Sequence, residues 1–122
     1  MPQIDDRTSY PLDGDLAREL RELVQGATKT ETGTTYTLLA ADFGRRISFN
    51  NASPITVTVP SGLPTNFYFF WRQRGGGQIT FVASGTTLLS TDAKLKSNGQ
   101  YSTGFLDWDS SEVYILDGNL AA

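Results

Sequence analysis

The stretch WRQRGGGQITFVASG, Trp71–Gly85, has the composition of a phosphate or nucleic-acid site, because arginines flank three consecutive glycines. A P-loop requires the pattern GxxxxGK[ST] between a strand and a helix, so that backbone amides and a lysine reach the phosphates. Here Gly75–Gly77 are followed by Gln78 and a strand-like apolar run, with no lysine and no helical pattern. Because glycine adopts positive φ without steric cost, this context predicts a hairpin between two strands.

The arginines beside these glycines are candidates for a contact with another molecule. Arg72 and Arg74 are two residues apart, so they lie on the same side of an extended strand, where they can bind an anion or a partner carboxylate. Arg45 and Arg46 form a second basic pair. Binding of single-stranded nucleic acid also needs exposed aromatic rings, but the aromatic residues of NFYFFWRQ occupy both faces, which predicts a strand buried on both sides. We therefore expect no nucleic-acid partner. Arg72 and Arg74 lie on a solvated edge or form an ion pair, and an ion pair between subunits is their candidate role.

Acidic and nucleophilic side chains are the candidates for catalysis and metal binding. The segment LDWDSSE gathers Asp107, Asp109 and Glu112, residue types that serve glycosidases or ligate calcium. No glycine-centred EF-hand loop is present, and this mixture of acids and serines is typical of a solvated turn. The chain contains no histidine and no cysteine, so Ser9 has no histidine base, and thiolate chemistry and cysteine-based zinc sites are excluded. We expect no catalytic, cofactor-binding or metal-ligating residues, and a protein that is not an enzyme.

The length and the charge distribution limit the classes of function further. The 122 residues correspond to one domain and carry a net charge of -3. Seven acidic and four basic side chains lie in residues 1–32, whereas residues 33–122 carry six of each. The chain has no apolar run of about 18 residues and no signal-peptide pattern. We therefore expect no membrane partner, and the near-neutral main part differs from a basic nucleic-acid-binding domain.

Two N-terminal segments precede the β-rich part of the chain. Residues 1–14 combine scattered apolar side chains with prolines and acids, which predicts an extended arm that either lies on a surface or is disordered. Residues 15–26 begin with an acidic N-cap and carry leucines at helical spacing, which predicts one short α-helix. A helix of about 11 residues is marginal in water. Its stripe must therefore pack on its own chain or on copies of itself, and the stripe consists of Leu16, Leu20 and Leu23.

The remainder of the sequence predicts strands. Residues 27–33 are polar and threonine-rich, which is typical of a linker. From residue 34 onward, short runs of β-branched and aromatic residues are separated by turn signals, and no helical pattern lies between them. We therefore predict a mainly β fold, in which residues 34–122 form a small antiparallel β-sandwich or barrel-like domain preceded by the arm and the helix.

The order of these motifs resembles a known β-module. Three stretches follow each other: YTLLAADFGRRISFNNASPITVTVPSGLP, RQRGGGQITFVASGTTLLS and KLKSNGQYSTGFLDWDSSEVYILDGNL. In this order they resemble a module of tailed-bacteriophage virion proteins, which occurs in head fibre, capsid decoration and tail fibre proteins. The resemblance covers about residues 34–120 and implies a sandwich-like unit, often trimeric, without catalytic residues. It also implies a turn at Asp42 and Gly44, a strand end at Pro60 and a hairpin over Gln73–Gln78.

The resemblance implies a structural role in a phage particle. We expect a homotrimeric capsid decoration or cement protein, or a short head fibre, that is assembled in the host cytoplasm and located in the virion. Its partners would be its own copies and the major capsid protein or another virion protein, without a cofactor. The leucine stripe would gather around the three-fold axis or against the virion. The arm would attach to the virion through Ile4, Tyr10, Pro11 and Leu12.

A second hypothesis assigns the chain to the tail of the particle. A tail fibre or adhesin tip binds host-surface carbohydrate, and aromatic side chains stack on sugar rings in such sites. The candidate stacking residues are Tyr101, Trp108 and Tyr114.

Overall fold

The computed structural model describes residues 28–122, which form two β-sheets that face each other. The strand order is β1-β3-β5-β9-β10-β7 in the six-stranded sheet and β11-β8-β6-β4-β2 in the five-stranded sheet. The strands are β1 (Thr28–Glu31), β2 (Thr35–Thr37), β3 (Arg46–Phe49), β4 (Ile55–Pro60), β5 (Tyr68–Gln73), β6 (Ile79–Ser84), β7 (Thr87–Leu89), β8 (Lys96–Ser97), β9 (Thr103–Ser110), β10 (Val113–Gly118) and β11 (Leu120–Ala121). The predicted arm, the predicted helix and residue 27 lie outside the described residues.

The first six strands wind alternately through the two sheets. Strands β1, β3 and β5 pair in parallel in the six-stranded sheet, and β2, β4 and β6 pair in parallel in the five-stranded sheet. Each turn of the chain therefore adds one strand to each sheet. The strands that follow complete the sheets differently, because β9 pairs antiparallel with β5 and β8 pairs antiparallel with β6.

The mainly β class is confirmed, and the strand pairing differs in part from the antiparallel arrangement that we predicted. Five of the nine strand pairs among residues 28–122 are parallel. The physical reason is that each connection in the first half crosses to the opposite sheet instead of returning beside the preceding strand. A crossing connection brings the chain back to the first sheet in the same direction, which makes neighbours parallel.

The hairpin predicted at Gly75–Gly77 is wrong. Strand β5 belongs to the six-stranded sheet and β6 to the five-stranded sheet, so the glycines form an arch that joins the two sheets. This arch stacks on the arch before it, since the Gly77 amide donates a hydrogen bond to the Asn51 carbonyl at 2.8 Å. A Cβ at Gly75 would lie 2.6 Å from the same carbonyl oxygen. Gly75 and Gly77 are therefore required by the close approach of two arches.

The arch at Asn51 also contacts the arch between β1 and β2. The Asn51 side-chain amide donates a hydrogen bond to the Thr32 carbonyl at 2.7 Å. Its side-chain oxygen accepts a hydrogen bond from the Ser53 amide at 2.9 Å, which shapes its own turn. Asn51 consequently holds three successive arches in one stack.

The core lies between the sheets and is built by period-2 alternation. In β4 the side chains of Ile55, Val57 and Val59 are buried, as their spacing predicted. Aromatic rings join the two sheets, with ring centroids 5.4 Å apart for Trp71 and Phe81. Two smaller features implied by the resemblance are also found, namely a turn at Asp42 and Gly44 and the end of β4 at Pro60.

The segment 27–33, predicted as a linker, contributes β1. This strand pairs in parallel with β3 over four residues, from Thr28 opposite Arg46 to Glu31 opposite Phe49. Its polar composition is compatible with an edge strand, because Thr28 and Thr30 face solvent while Lys29 reaches into a polar cluster at the sheet edge. The β-domain therefore begins before residue 34.

Candidate interaction surfaces

The outer face of the six-stranded sheet carries a cluster of exposed apolar side chains, which we call the apolar patch. Cross-strand register places these side chains on one face, opposite the core. Phe70 and Phe105 face each other across β5 and β9 with ring centroids 6.4 Å apart, and Tyr68 lies 5.9 Å from Phe70. The apolar patch consists of Tyr68, Phe70, Leu89, Phe105 and Ile115.

The exposure of this patch corrects the prediction that the aromatic strand is buried on both sides. Within β5, Phe69 and Trp71 are buried, whereas Tyr68 and Phe70 remain 40% and 43% exposed. Beside them, Arg46, Phe70, Thr103 and Phe105 line a shallow depression of about 350 Å³. The sequence pattern missed this because a strand that is apolar on both faces looks the same whether its second face is covered within the domain or by something else.

The opposite outer surface, on the five-stranded sheet, has a different chemical character. Threonines occupy adjacent positions on its three parallel strands, as the register Thr35–Thr56–Thr80 shows. Val82 is the large apolar side chain exposed on this face, and 36% of it is accessible. The apolar patch is thus specific to one side of the sandwich, and patches of this kind mark interaction sites.

The two predicted interface arginines occupy different environments. Arg72 lies on β5 beside Ser48 and Thr103, half-buried on the outer face of the six-stranded sheet. Arg74 follows the end of β5 and is exposed, with its guanidinium carbon 5.7 Å from the centre of the Tyr101 ring. Within residues 28–122 neither arginine forms an ion pair, so their predicted pairing with another subunit stays a prediction.

The candidate sugar-stacking residues do not form one platform. Tyr114 is fully buried in the core, so its assignment as an exposed stacking residue is wrong. Burial raises the pKa of Tyr114, and the negative charge of Glu112 adds to this rise. Trp108 is half-buried against the core, while Tyr101 is 66% exposed at the end of the domain near Arg74. Sequence position alone gave no means of separating the inward ring from the outward one.

The acids of LDWDSSE also remain apart. Asp107 faces outward on β9 opposite Tyr68, and Asp109 lies two residues further along the same exposed side. Glu112 instead accepts a hydrogen bond from the Gly62 amide at 3.0 Å, which fixes a neighbouring loop. No group of three acids among the described residues is placed to hold a metal ion.

A polar cluster that sequence reasoning missed joins the two sheets at their edge. The Tyr36 hydroxyl donates to Asp42 Oδ2 at 2.7 Å and accepts a hydrogen bond from Lys29 Nζ at 2.5 Å. The buried Asp42 carboxylate also accepts from the Leu39 amide at 2.8 Å, and Lys29 Nζ lies 3.4 Å from Glu31 Oε2. This arrangement connects β1, β2 and the turn that follows.

The protonation states of this cluster favour a structural role. Burial raises the pKa of Tyr36 to about 12, against the opposing effect of the Lys29 hydrogen bond. Burial by itself lowers the pKa of Lys29, but the Tyr36 hydrogen bond and the Asp42 charge outweigh it, so the pKa is raised. Tyr36 is therefore neutral and Lys29 is charged at neutral pH, the states in which both donate the hydrogen bonds that hold the cluster together.

A second buried network lies under the glycine arch. The Ser97 hydroxyl donates to Gln73 Oε1 at 2.5 Å and accepts from the Ile79 amide at 2.8 Å. Gln78 donates its side-chain amide to the Ser97 carbonyl at 2.8 Å. These polar groups satisfy one another where β5 leaves one sheet and β6 enters the other, so they hold the arch in place.

The remaining predicted site residues cannot be placed. The anchoring residues Ile4, Tyr10, Pro11 and Leu12 and the stripe residues Leu16, Leu20 and Leu23 lie outside the described residues. In residues 28–122, no helix has the length and apolar character required to cross a bilayer.

Comparisons with known proteins add no family assignment: no family model matches this chain, and no curated protein matches it at a significant level.

Proposed function

We propose that the chain is a bacteriophage virion structural protein, specifically a homotrimeric capsid decoration or cement protein that resembles head fibres and attaches through its N-terminal arm. The proposal assigns the protein to the virion, with its own copies and the major capsid protein or another virion protein as partners. It assigns no catalytic role and no cofactor.

One observation carries the proposal. The residues on which the phage resemblance depends are the residues that hold the stacked windings together. The asparagine of the second arch, the glycines of the third and the glutamines beside them hydrogen-bond or pack against neighbouring turns. A motif pattern whose members stabilise a β-module is what a family of structural building units requires, since such a pattern preserves a shape and leaves the surfaces free to vary.

The side chains most able to take part in chemistry support the same proposal, because they bond to one another. Lys29, Tyr36 and Asp42 satisfy one another at the sheet edge, and Gln73 and Ser97 do so under the glycine arch. The outer face of the six-stranded sheet instead offers exposed aromatic and aliphatic side chains, which suit contact with other proteins. A trimer would multiply weak single contacts with the virion by avidity.

The direct test is reconstitution on particles that lack this protein. Purified full-length chain is mixed with such particles, and bound protein is measured after sedimentation. Saturable binding at a fixed number of capsid positions is expected. Binding to host-surface glycan without binding to the particles would overturn the proposal in favour of a tail adhesin.

The arm is tested with matched substitutions. Replacing Ile4, Tyr10 and Leu12 together by serine is expected to abolish attachment and leave the circular dichroism spectrum and the oligomeric mass unchanged. The control replaces Gln3 and Thr8, polar residues of the same arm, by alanine. Equal attachment of both variants would refute the anchoring role, and a monomeric mass of the native chain at micromolar concentration would contradict the trimer.

A further inference from the structure

The apolar patch is a feature of the described surface that neither the strand pairing nor the core packing accounts for. Four of its side chains remain widely exposed, at 40% for Tyr68, 43% for Phe70, 48% for Leu89 and 39% for Ile115. No element within residues 28–122 covers them. An aromatic cluster on a regular sheet face needs a partner that offers apolar side chains in a matching array.

Register places the patch beside the point where the chain enters the sheet. Thr28, the first residue of β1, is in line with Arg46, Phe70 and Phe105 along the pairing direction. Two strand spacings separate β1 from β5, a distance of roughly 10 Å. The patch therefore begins close to the start of β1.

The polarity of the outer face of the six-stranded sheet also changes along its strands. The row that contains Tyr68, Asp107 and Ile115 lies toward the end of the sheet from which the chain reaches Thr28. The row on the other side of Phe70 is polar and consists of Thr30, Ser48, Arg72 and Thr103. The apolar half of the outer face is thus the half at the end of the sheet where β1 begins.

The sequence of that neighbouring segment fits the patch. Its leucine stripe has the spacing of one helix face, and a helix of 11 residues is about 16 Å long. This length is close to the roughly 14 Å that separates β1 from β9, three strand spacings away. Leu23 is five residues from Thr28, and five residues span at most about 17 Å. The stripe can therefore reach the whole aromatic part of the patch without crossing the edge of another strand.

We propose that residues 16–27 dock on the apolar patch of their own chain, with Leu16, Leu20 and Leu23 against the outer face of the six-stranded sheet. The occupant is the chain's own segment because the short connection to β1 keeps the leucines near the patch at a high effective concentration, which a separate copy does not have. The docked segment buries the leucine stripe and the aromatic rings together, and it leaves the threonine-rich face of the other sheet open.

A double-mutant cycle on the full chain tests this contact. Leu20→Ala and Phe70→Ala are made singly and together, and the unfolding equilibrium constant of each is measured by urea titration. Each single substitution raises the unfolding equilibrium constant by some factor. If the two side chains touch, the factor for the double variant is expected to be about fivefold smaller than the product of the two single factors. The matched control pairs Leu20→Ala with Val82→Ala on the opposite sheet, where the effects are expected to multiply. Multiplicative effects for Leu20 and Phe70 would overturn the proposal.

Cross-linking decides which chain supplies the segment. Because the chain has no native cysteine, Leu20→Cys can be combined with Asp107→Cys, an exposed position inside the patch, or with Thr56→Cys on the other sheet as a control. Oxidation at low protein concentration is expected to yield a disulfide within one chain for the first pair and not for the second. A disulfide formed mainly between two differently tagged chains, or in equal yield for both pairs, would overturn docking on the same chain.

Discussion

Gly77 packs against Asn51 so closely that a Cβ at position 77 would lie 2.7 Å from the Asn51 carbonyl oxygen. The two residues belong to successive arches, and the Gly77 amide donates its hydrogen bond to that same oxygen. The contact sets the spacing between two windings of the chain. It also explains why a glycine occupies position 77.

Gly77→Ala is expected to lower the free energy of unfolding by about 3 kcal/mol or more, because backbone atoms at the contact cannot move aside as a side chain can. Gly76→Ala is the matched control, since a Cβ at Gly76 meets nothing within 4 Å. That variant is expected to stay within about 0.5 kcal/mol of the native chain. Urea titration measures both values, and similar losses would show that the arches do not stack closely at Gly77.

Asn51→Ala removes the hydrogen bonds that tie its arch to the arch at Thr32 and shape its own turn. A loss of about 1 to 2 kcal/mol in the free energy of unfolding is expected. The neighbouring Asn50 is exposed, and its side chain forms no hydrogen bond within residues 28–122, so Asn50→Ala serves as the control. Proteolysis of the native state between β1 and β2 is expected to accelerate in the Asn51 variant alone.

Alkaline pH is expected to destabilise the fold through Tyr36. Its pKa is about 12 in the folded chain and near 10 in the unfolded chain, so the unfolded chain loses the proton first as the pH rises. The contribution is fully present below pH 10 and is lost between about pH 10 and pH 12. Lys29, whose pKa is also raised, acts in the same direction.

Tyr36→Phe separates this effect from general alkaline unfolding. At pH 7 the variant is expected to be less stable by about 1 to 2 kcal/mol, because Asp42 loses a hydrogen bond. Between pH 9 and pH 11 its stability is expected to fall less steeply than that of the native chain. Parallel stability curves for the two proteins over this range would contradict the raised pKa of Tyr36.

Charge reversal tests the proposed ion pairs between subunits. If the proposed trimer forms, the double variant Arg72→Glu with Arg74→Glu is expected to weaken it, which is read out as a shift of the mass distribution toward monomer in dilution series. Lys94→Glu with Lys96→Glu changes the charge equally on another part of the domain and is expected to leave assembly unchanged. An unaltered trimer in the arginine variant would remove Arg72 and Arg74 from the interface.

Much of the fold follows from local patterns in the sequence. Alternation identified the strands, as ITVTVP shows, and the turn residues at Asn51, Pro60 and Gly75 marked where strands end. Local patterns do not specify which strand pairs with which. A glycine turn that folds a chain back beside itself and one that carries it to the opposite sheet have the same composition, so the hairpin prediction at Gly75–Gly77 failed.

The surfaces were harder to predict than the strands. Tyr68 and Tyr114 are both aromatic residues in β-rich segments, yet one is exposed on the outer face and the other is fully buried. Their difference depends on strand register, which is fixed by the pairing of distant segments. Lys29 illustrates the same limit, since a polar run read as a linker becomes an edge strand once Tyr36 and Asp42 are close by.

Because β1 to β6 alternate between the two sheets, one full turn of the chain is a structural unit that can be duplicated. Copying the residues of one full turn, such as 46–67, would insert one strand into each sheet and raise the stack by about 4.8 Å without changing its cross-section. The antiparallel strands β8 and β9 follow the parallel strands at one end of the stack. The duplicated strands would therefore lie between β8 and β9 at that end and β1 and β2 at the other. A domain built on this plan can therefore change its height by gene duplication while every layer keeps the same width.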